Sequence, residues 1–210
     1  MLLIAPTGAG KTLAGFLPTL TELAGARPRT ASTGRDVAAS GGLHTLYISP
    51  LKALAVDVQR NLLTPIAEMG LDIRVETRTG DTPSDRKARQ RVRPPHILVT
   101  TPESLSLLLS YPDSMLMFEG LKTVVIDEVH AFATTKRGDL LSLSLSRLQR
   151  LAPGFRRVAL SATVADPDGY RAWLAPHGDI GMVEKVIGEP GAEPDISILL
   201  PEGRVPWSGH

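Results

Sequence analysis

Leu2-Leu3-Ile4-Ala5-Pro6-Thr7-Gly8-Ala9-Gly10-Lys11-Thr12 decides the fold. A short apolar run passes through a Pro/Gly turn into a helical pattern that extends from Lys11 to Ala24. That is the strand, loop and helix context of a P-loop. Glycines let the backbone close around phosphates with its amides inward, the helix N-terminus adds positive potential, and Lys11 brings a point charge to the outer phosphates. Thr7, Gly8, Ala9, Gly10, Lys11 and Thr12 are therefore the candidate nucleotide-binding residues, the Thr12 hydroxyl being placed to ligate magnesium. Ala5 stands where the general GxxxxGK(S/T) pattern has its first glycine, so the strict motif is not met.

Working outward, β-rich runs recur at Leu2 to Ala5, Thr45 to Ser49, Ile73 to Thr77, Ile97 to Thr100, Val124 to Asp127, Val158 to Ser161 and Met182 to Ile187. Helical patterns lie between them, at Leu51 to Ala67, Ser84 to Gln90, Glu103 to Leu109, Leu140 to Leu151 and Pro167 to Leu174. Several strands are apolar without alternation, as in a parallel sheet covered on both faces. The expectation is one α/β domain with three layers around a parallel sheet, a P-loop NTPase over residues 1–188. Gly25 to Gly42 lacks periodicity and reads as a surface loop, and 189–210 as an exit segment containing one weak strand pattern, Ile196 to Leu200.

The second site is Val124-Val125-Ile126 followed by Asp127-Glu128-Val129-His130. A buried strand delivers two adjacent acids at its carboxyl end, where open α/β sheets bind ligands. An Asp-Glu pair alone is more often a solvated strand end, but an upstream P-loop reverses that reading. Asp127 then holds magnesium, directly or through water, and Glu128 polarises the water that attacks the γ-phosphate of ATP. Lys11, Asp127 and Glu128 are the candidate catalytic residues.

Composition sets limits on the partners. A formal net charge of +1 gives no global basicity, so nucleic-acid contacts must come from local groups. The absence of cysteine excludes disulfides and thiolate-zinc sites, and the five histidines are too scattered to suggest a metal cluster. Met1 to Ile4 runs straight into Pro6, leaving no room for a signal-peptide core, and no apolar stretch is long enough to span a bilayer. A cytoplasmic protein without a membrane partner is expected.

With Ser161-Ala162-Thr163 following the P-loop and DEVH, each at a strand end, the chain resembles the first RecA-like domain of superfamily 2 DEXH-box helicases. YISPLKALAVDV (47–58), TRTGDTPSDRK (77–87), ILVTTPESL (97–105) and DEVHAFATTKRGDLL (127–141) resemble the large helicase-related (Lhr) proteins. LSATVADPDGYRAWL and the closing ISILLPEGRVPWSGH are similar to the ligase-associated branch, linked to the DNA-damage response. The resemblance implies that Pro50, Lys52 and Ala53, then Thr101, Pro102 and Glu103, grip one strand's backbone, with Arg78 and Gly80 beside them. Pro50, Lys52, Arg78 and Thr101 are the candidate nucleic-acid contacts; the run Arg86, Lys87, Arg89, Arg91 and Arg93 reads equally well as a solvated face. His130, Ser161 and Thr163, each unremarkable alone, would couple the nucleotide to that grip.

The resemblance further implies ATP-driven movement on single-stranded or tailed DNA, in DNA repair and with a functional link to a DNA ligase. It also implies a second RecA-like domain whose arginine fingers are worth roughly 10³–10⁵ in rate. The isolated chain, a truncated product or an excised domain on this reading, is expected to turn over slowly if at all. A non-catalytic ATP- and nucleic-acid-binding module or remnant is one alternative and an RNA helicase another, since phosphate contacts position a strand without reading its bases.

Overall fold

The computed structural model describes residues 1–25, 42–162 and 164–189. Most of the expected surface loop, Thr163 and most of the exit segment with its weak strand pattern lie outside those residues. Seven parallel strands form one sheet: β1 (Leu2–Ile4), β2 (Thr45–Ile48), β3 (Val75–Arg78), β4 (Ile97–Thr100), β5 (Thr123–Ile126), β6 (Arg156–Ser161) and β7 (Lys185–Ile187). Their order is β3-β4-β2-β5-β6-β1-β7. The three-layer α/β expectation is met, and β2, β4 and β5 are buried along their whole length.

The helices are α1 (Lys11–Gly25), α2 (Lys52–Glu68), α3 (Ser84–Val92), α4 (Pro102–Ser110), α5 (Ser114–Phe118), α6 (Lys136–Leu151) and α7 (Pro167–Leu174). On one face of the sheet, Phe16 and Leu20 of α1 and Val58, Leu62 and Ile66 of α2 pack against Tyr47, Val99, Val125 and Leu160. On the other, Leu105 and Leu108 of α4, Leu141, Leu145 and Leu148 of α6 and Leu174 of α7 cover Leu46, Leu98, Val124 and Ile126. Among the described residues no helix is long and apolar enough to cross a membrane.

Two differences from the sequence expectation have local causes. The third strand begins at Val75 rather than Ile73 and continues to Arg78, so a residue expected at the surface enters the sheet. The helix expected from Leu140 starts at Lys136, because the Thr135 side chain caps it by accepting the Gly138 N–H at 3.2 Å. The short α5 gave no periodic signal, yet it buries Met117 and Phe118.

The strand order brings the motifs together. β6 lies between β1 and β5, so the loops after β1 and β5 flank the end of β6, where Ser161 sits. Register pairs Ile4 with Ser161 and Ile126 with Ala159.

Candidate nucleotide site and polynucleotide face

The P-loop closes through positive φ at Gly8 (85°) and Gly10 (76°), values that a side chain rarely tolerates. Nothing crowds either Cα, so the glycines are needed for backbone conformation and not for space. Lys11 is only 8% exposed, and its ammonium donates to the Pro6 carbonyl at 3.0 Å, inside the loop. The Ala5 N–H donates to the Ser161 carbonyl at 3.1 Å, which ties the root of the loop to the end of β6.

The acids sit across that end. The Asp127 N–H donates to the Ile48 carbonyl at 2.9 Å, and Asp127 Oδ1 accepts the Glu128 N–H at 3.0 Å. Asp127 is 7% exposed, and burial pushes its carboxyl above the usual aspartate range. Glu128 is in the left-handed region, φ 46° and ψ 53°, a conformation costing on the order of 1–3 kcal/mol for a non-glycine residue. This bend turns the chain away from the sheet directly after Asp127, so two consecutive acids serve different positions.

His130 links the two loops. Its Nδ1 is hydrogen-bonded to Ser161 Oγ at 2.9 Å and stands 3.3 Å from Glu128 Oε2. With Nδ1 engaged by the serine, the buried Glu128 Oε2 makes no hydrogen bond. A carboxylate oxygen left in that state can accept a proton from a water beside it. Two of the three expected coupling residues, His130 and Ser161, are hydrogen-bonded to each other, while Thr163 lies outside the described residues.

Thr12, half-buried at the start of α1, and Asp127 both interact with the Tyr47 hydroxyl, and theirs would be the side-chain oxygens offered to a cation there. No three His, Asp or Glu side chains converge on a metal site among the described residues. A magnesium ion held by two such oxygens would draw the rest of its shell from phosphate oxygens and water.

The expected polynucleotide contacts need correction. Arg78 is 3% exposed, its guanidinium donating to the Lys87 carbonyl at 2.7 Å and to Gln90 Oε1 at 3.3 Å. It fastens α3 to β3 and presents no charge to a phosphate. Thr101 is buried as the N-cap of α4, its hydroxyl engaged with Ser104, and Pro50 is buried as well. Any contact from these two positions would be made by backbone.

Lys52 is the exposed cation of the group, and it is held at 2.9 Å by Asp81. The basic run is largely a paired surface: Arg86 and Arg89 bond Glu76, and Arg91 bonds Asp113 and covers the Tyr111 ring. Two further features escaped the sequence reading. Arg137 bonds Glu103 at 2.6 Å, joining α6 to the Thr101-Pro102-Glu103 turn, and the Tyr47 hydroxyl is buried beside the acids. Neither has a signal in spacing, since each depends on elements distant in sequence.

The DEAD/DEAH box helicase family matches residues 1–169. The chain is 44% identical over 174 residues to the ATP-dependent helicase Lhr-Core protein 2 of Thermococcus barophilus, covering 78% of this chain and 19% of that protein. It is 42% identical over 215 residues to the Lhr helicase/uracil glycosylase of Escherichia coli, covering 95% of this chain and 13% of that one. Among solved structures, Mycobacterium smegmatis helicase Lhr bound to ssDNA and AMP-PNP superposes with a TM-score of 0.76 at 40% identity, over 91% of this chain and 24% of that one. The chain thus spans less than a quarter of the length of these Lhr-type proteins. A match that runs across the phosphate loop with Lys11 and the strand ends with Asp127 and Ser161 means that the chain belongs to the DEAD/DEAH box helicase family.

Proposed function

We propose that this chain is the ATP- and magnesium-binding motor domain of an Lhr-type DNA helicase or translocase. The observation that carries the reading is Ser161: its carbonyl holds the root of the P-loop, and its hydroxyl holds the histidine beside Glu128. One residue thus senses both the phosphate loop and the acids. Lys11 and the loop amides cradle the phosphates, Thr12 and Asp127 hold magnesium, and Glu128 takes the proton of the attacking water. Magnesium bound there supplies charge neutralisation on the phosphates. In the complete protein a second RecA-like domain supplies cations to the leaving charge, so turnover belongs to the pair of domains.

DNA is favoured over RNA as the partner because the Lhr relative was solved with ssDNA, and a structure 27% identical to this chain, the DUF1998 helicase MrfA, was solved with DNA and AMPPNP. A role in DNA repair beside a ligase, in the cytoplasm, is part of the same proposal and rests on the resemblance of the sequence to the ligase-associated branch. The test is ATP turnover and nucleotide binding by the 210-residue chain, with and without single-stranded DNA or RNA. Glu128→Gln serves as the background control. Equal nucleotide affinity in wild type and Lys11→Ala would remove the site assignment, and stimulation by RNA alone would reassign the partner.

A further inference from the structure

Tyr47 carries a hydroxyl where the core asks only for a ring. It is the third residue of β2, 0% exposed, and in register with Val125 of β5. Its ring stacks on Phe16 of α1, with centroids 4.9 Å apart and planes within 15°. Side chains alternate along a strand, so Val125 and Asp127 share the face on which Tyr47 and Phe16 pack.

The hydroxyl therefore arrives under the acid from inside the protein. No bond of good hydrogen-bond geometry reaches it among the described residues, although Asp127 and Thr12 lie close enough to interact with it. Phenylalanine would give the same stack without a desolvated hydroxyl that lacks a well-formed hydrogen bond, so the oxygen calls for a reason beyond packing. Asp127 Oδ1 is already occupied by the Glu128 N–H, and the phenol is the donor available to orient the rest of the carboxylate.

We propose that Tyr47 is a positioning residue of the magnesium site, its hydroxyl donating to the Asp127 carboxylate when that carboxylate engages the metal of a bound nucleotide. The phenol touches neither metal nor phosphate. It fixes the plane of the acid, as outer-shell partners of metal ligands generally do. This rests on the ATP reading above, and adds to it a residue from a strand that carries none of the nucleotide-binding motifs.

The experiment is a titration of a fluorescent ADP analogue with magnesium chloride, and separately in EDTA, on wild type, Tyr47→Phe, Asp127→Asn, the double variant and Lys11→Ala. In Tyr47→Phe the half-saturating magnesium concentration should rise about 10-fold. Affinity in EDTA should stay at the wild-type value, and the melting midpoint of the free chain should stay level or rise. In the Asp127→Asn background the same change should add nothing.

An unchanged magnesium requirement in Tyr47→Phe, an equal further loss in the double variant, or a drop in EDTA affinity together with a lower melting midpoint would each overturn the proposal. A wild-type chain that binds nucleotide no better than Lys11→Ala removes the ATP reading and this inference with it. A normal wild-type magnesium response that Tyr47→Phe leaves intact removes this inference alone.

Discussion

At the nucleotide site Lys11 and Asp127 are buried, and the backbone enters the left-handed region at Gly8, Gly10 and Glu128. On the proposed polynucleotide face Lys52 is exposed and paired with Asp81, and the exposed Glu103 is paired with Arg137. The first region stores unfavourable terms in a fixed shape: a desolvated acid, a strained glutamate and buried oxygens without well-formed hydrogen bonds. The second holds ion pairs of the exposed kind, typically worth about 0–1 kcal/mol each and easily exchanged for a phosphate. A site that discriminates charge development must be rigid before its ligand arrives. A surface that slid along a backbone, as proposed for this one, would gain from contacts that are cheap to break.

The largest effect that tests this contrast belongs to Glu128. In the complete protein Glu128→Gln should lower ATP turnover by about 10²–10⁴-fold while leaving nucleotide affinity near wild type, read by steady-state hydrolysis and equilibrium binding. Turnover that survives the change would move the base elsewhere and leave the strained turn without a purpose. Next, Lys11→Ala should weaken nucleotide binding roughly 10- to 100-fold, the range for losing a charge-assisted hydrogen bond of about 1.5–3 kcal/mol. Calorimetric titration gives that number directly.

Arg78→Ala sharpens the boundary between the two regions. It should destabilise the fold by about 2 kcal/mol through the loss of buried hydrogen bonds to α3, with the salt dependence of DNA binding unchanged. If denaturant unfolding is unaffected and DNA affinity falls, Arg78 belongs to the polynucleotide face and the contrast drawn above is misplaced. The smallest effect is that of Lys52→Ala, which should reduce affinity for single-stranded DNA a few-fold and lower the slope of log affinity against log salt by about 1. Melting should not move, since its ion pair is exposed.

The elements were legible where the pattern was local. Ile97–Thr100 and Pro167–Leu174 have the bounds that their residues suggest, because an unbroken apolar run, and a proline after an Asp cap, each announce themselves. TRTGD suggests a strand leaving the sheet at Arg78, whereas β3 keeps its pairing with β4 up to Arg78 and Thr100. The side chain then finds Lys87 and Gln90 of α3, an encounter that no spacing rule encodes.

The sequence by itself determined the parallel α/β fold, the phosphate loop and the acid pair. Each is written in consecutive residues whose backbone demands are local: glycines at positive φ, a lysine at a helix start, two acids at the end of an apolar strand. Only the tertiary structure decided that Ser161 joins both loops, that Arg78 and Thr101 turn inward, and that the Tyr47 hydroxyl lies beneath Asp127. Those facts follow from the insertion of β6 between β1 and β5, from the register of β2 on β5 and from the pairing of β3 with β4 up to Arg78 and Thr100. Strand order and register are set by the packing of the whole sheet between its two helical layers, and no single stretch of sequence contains them.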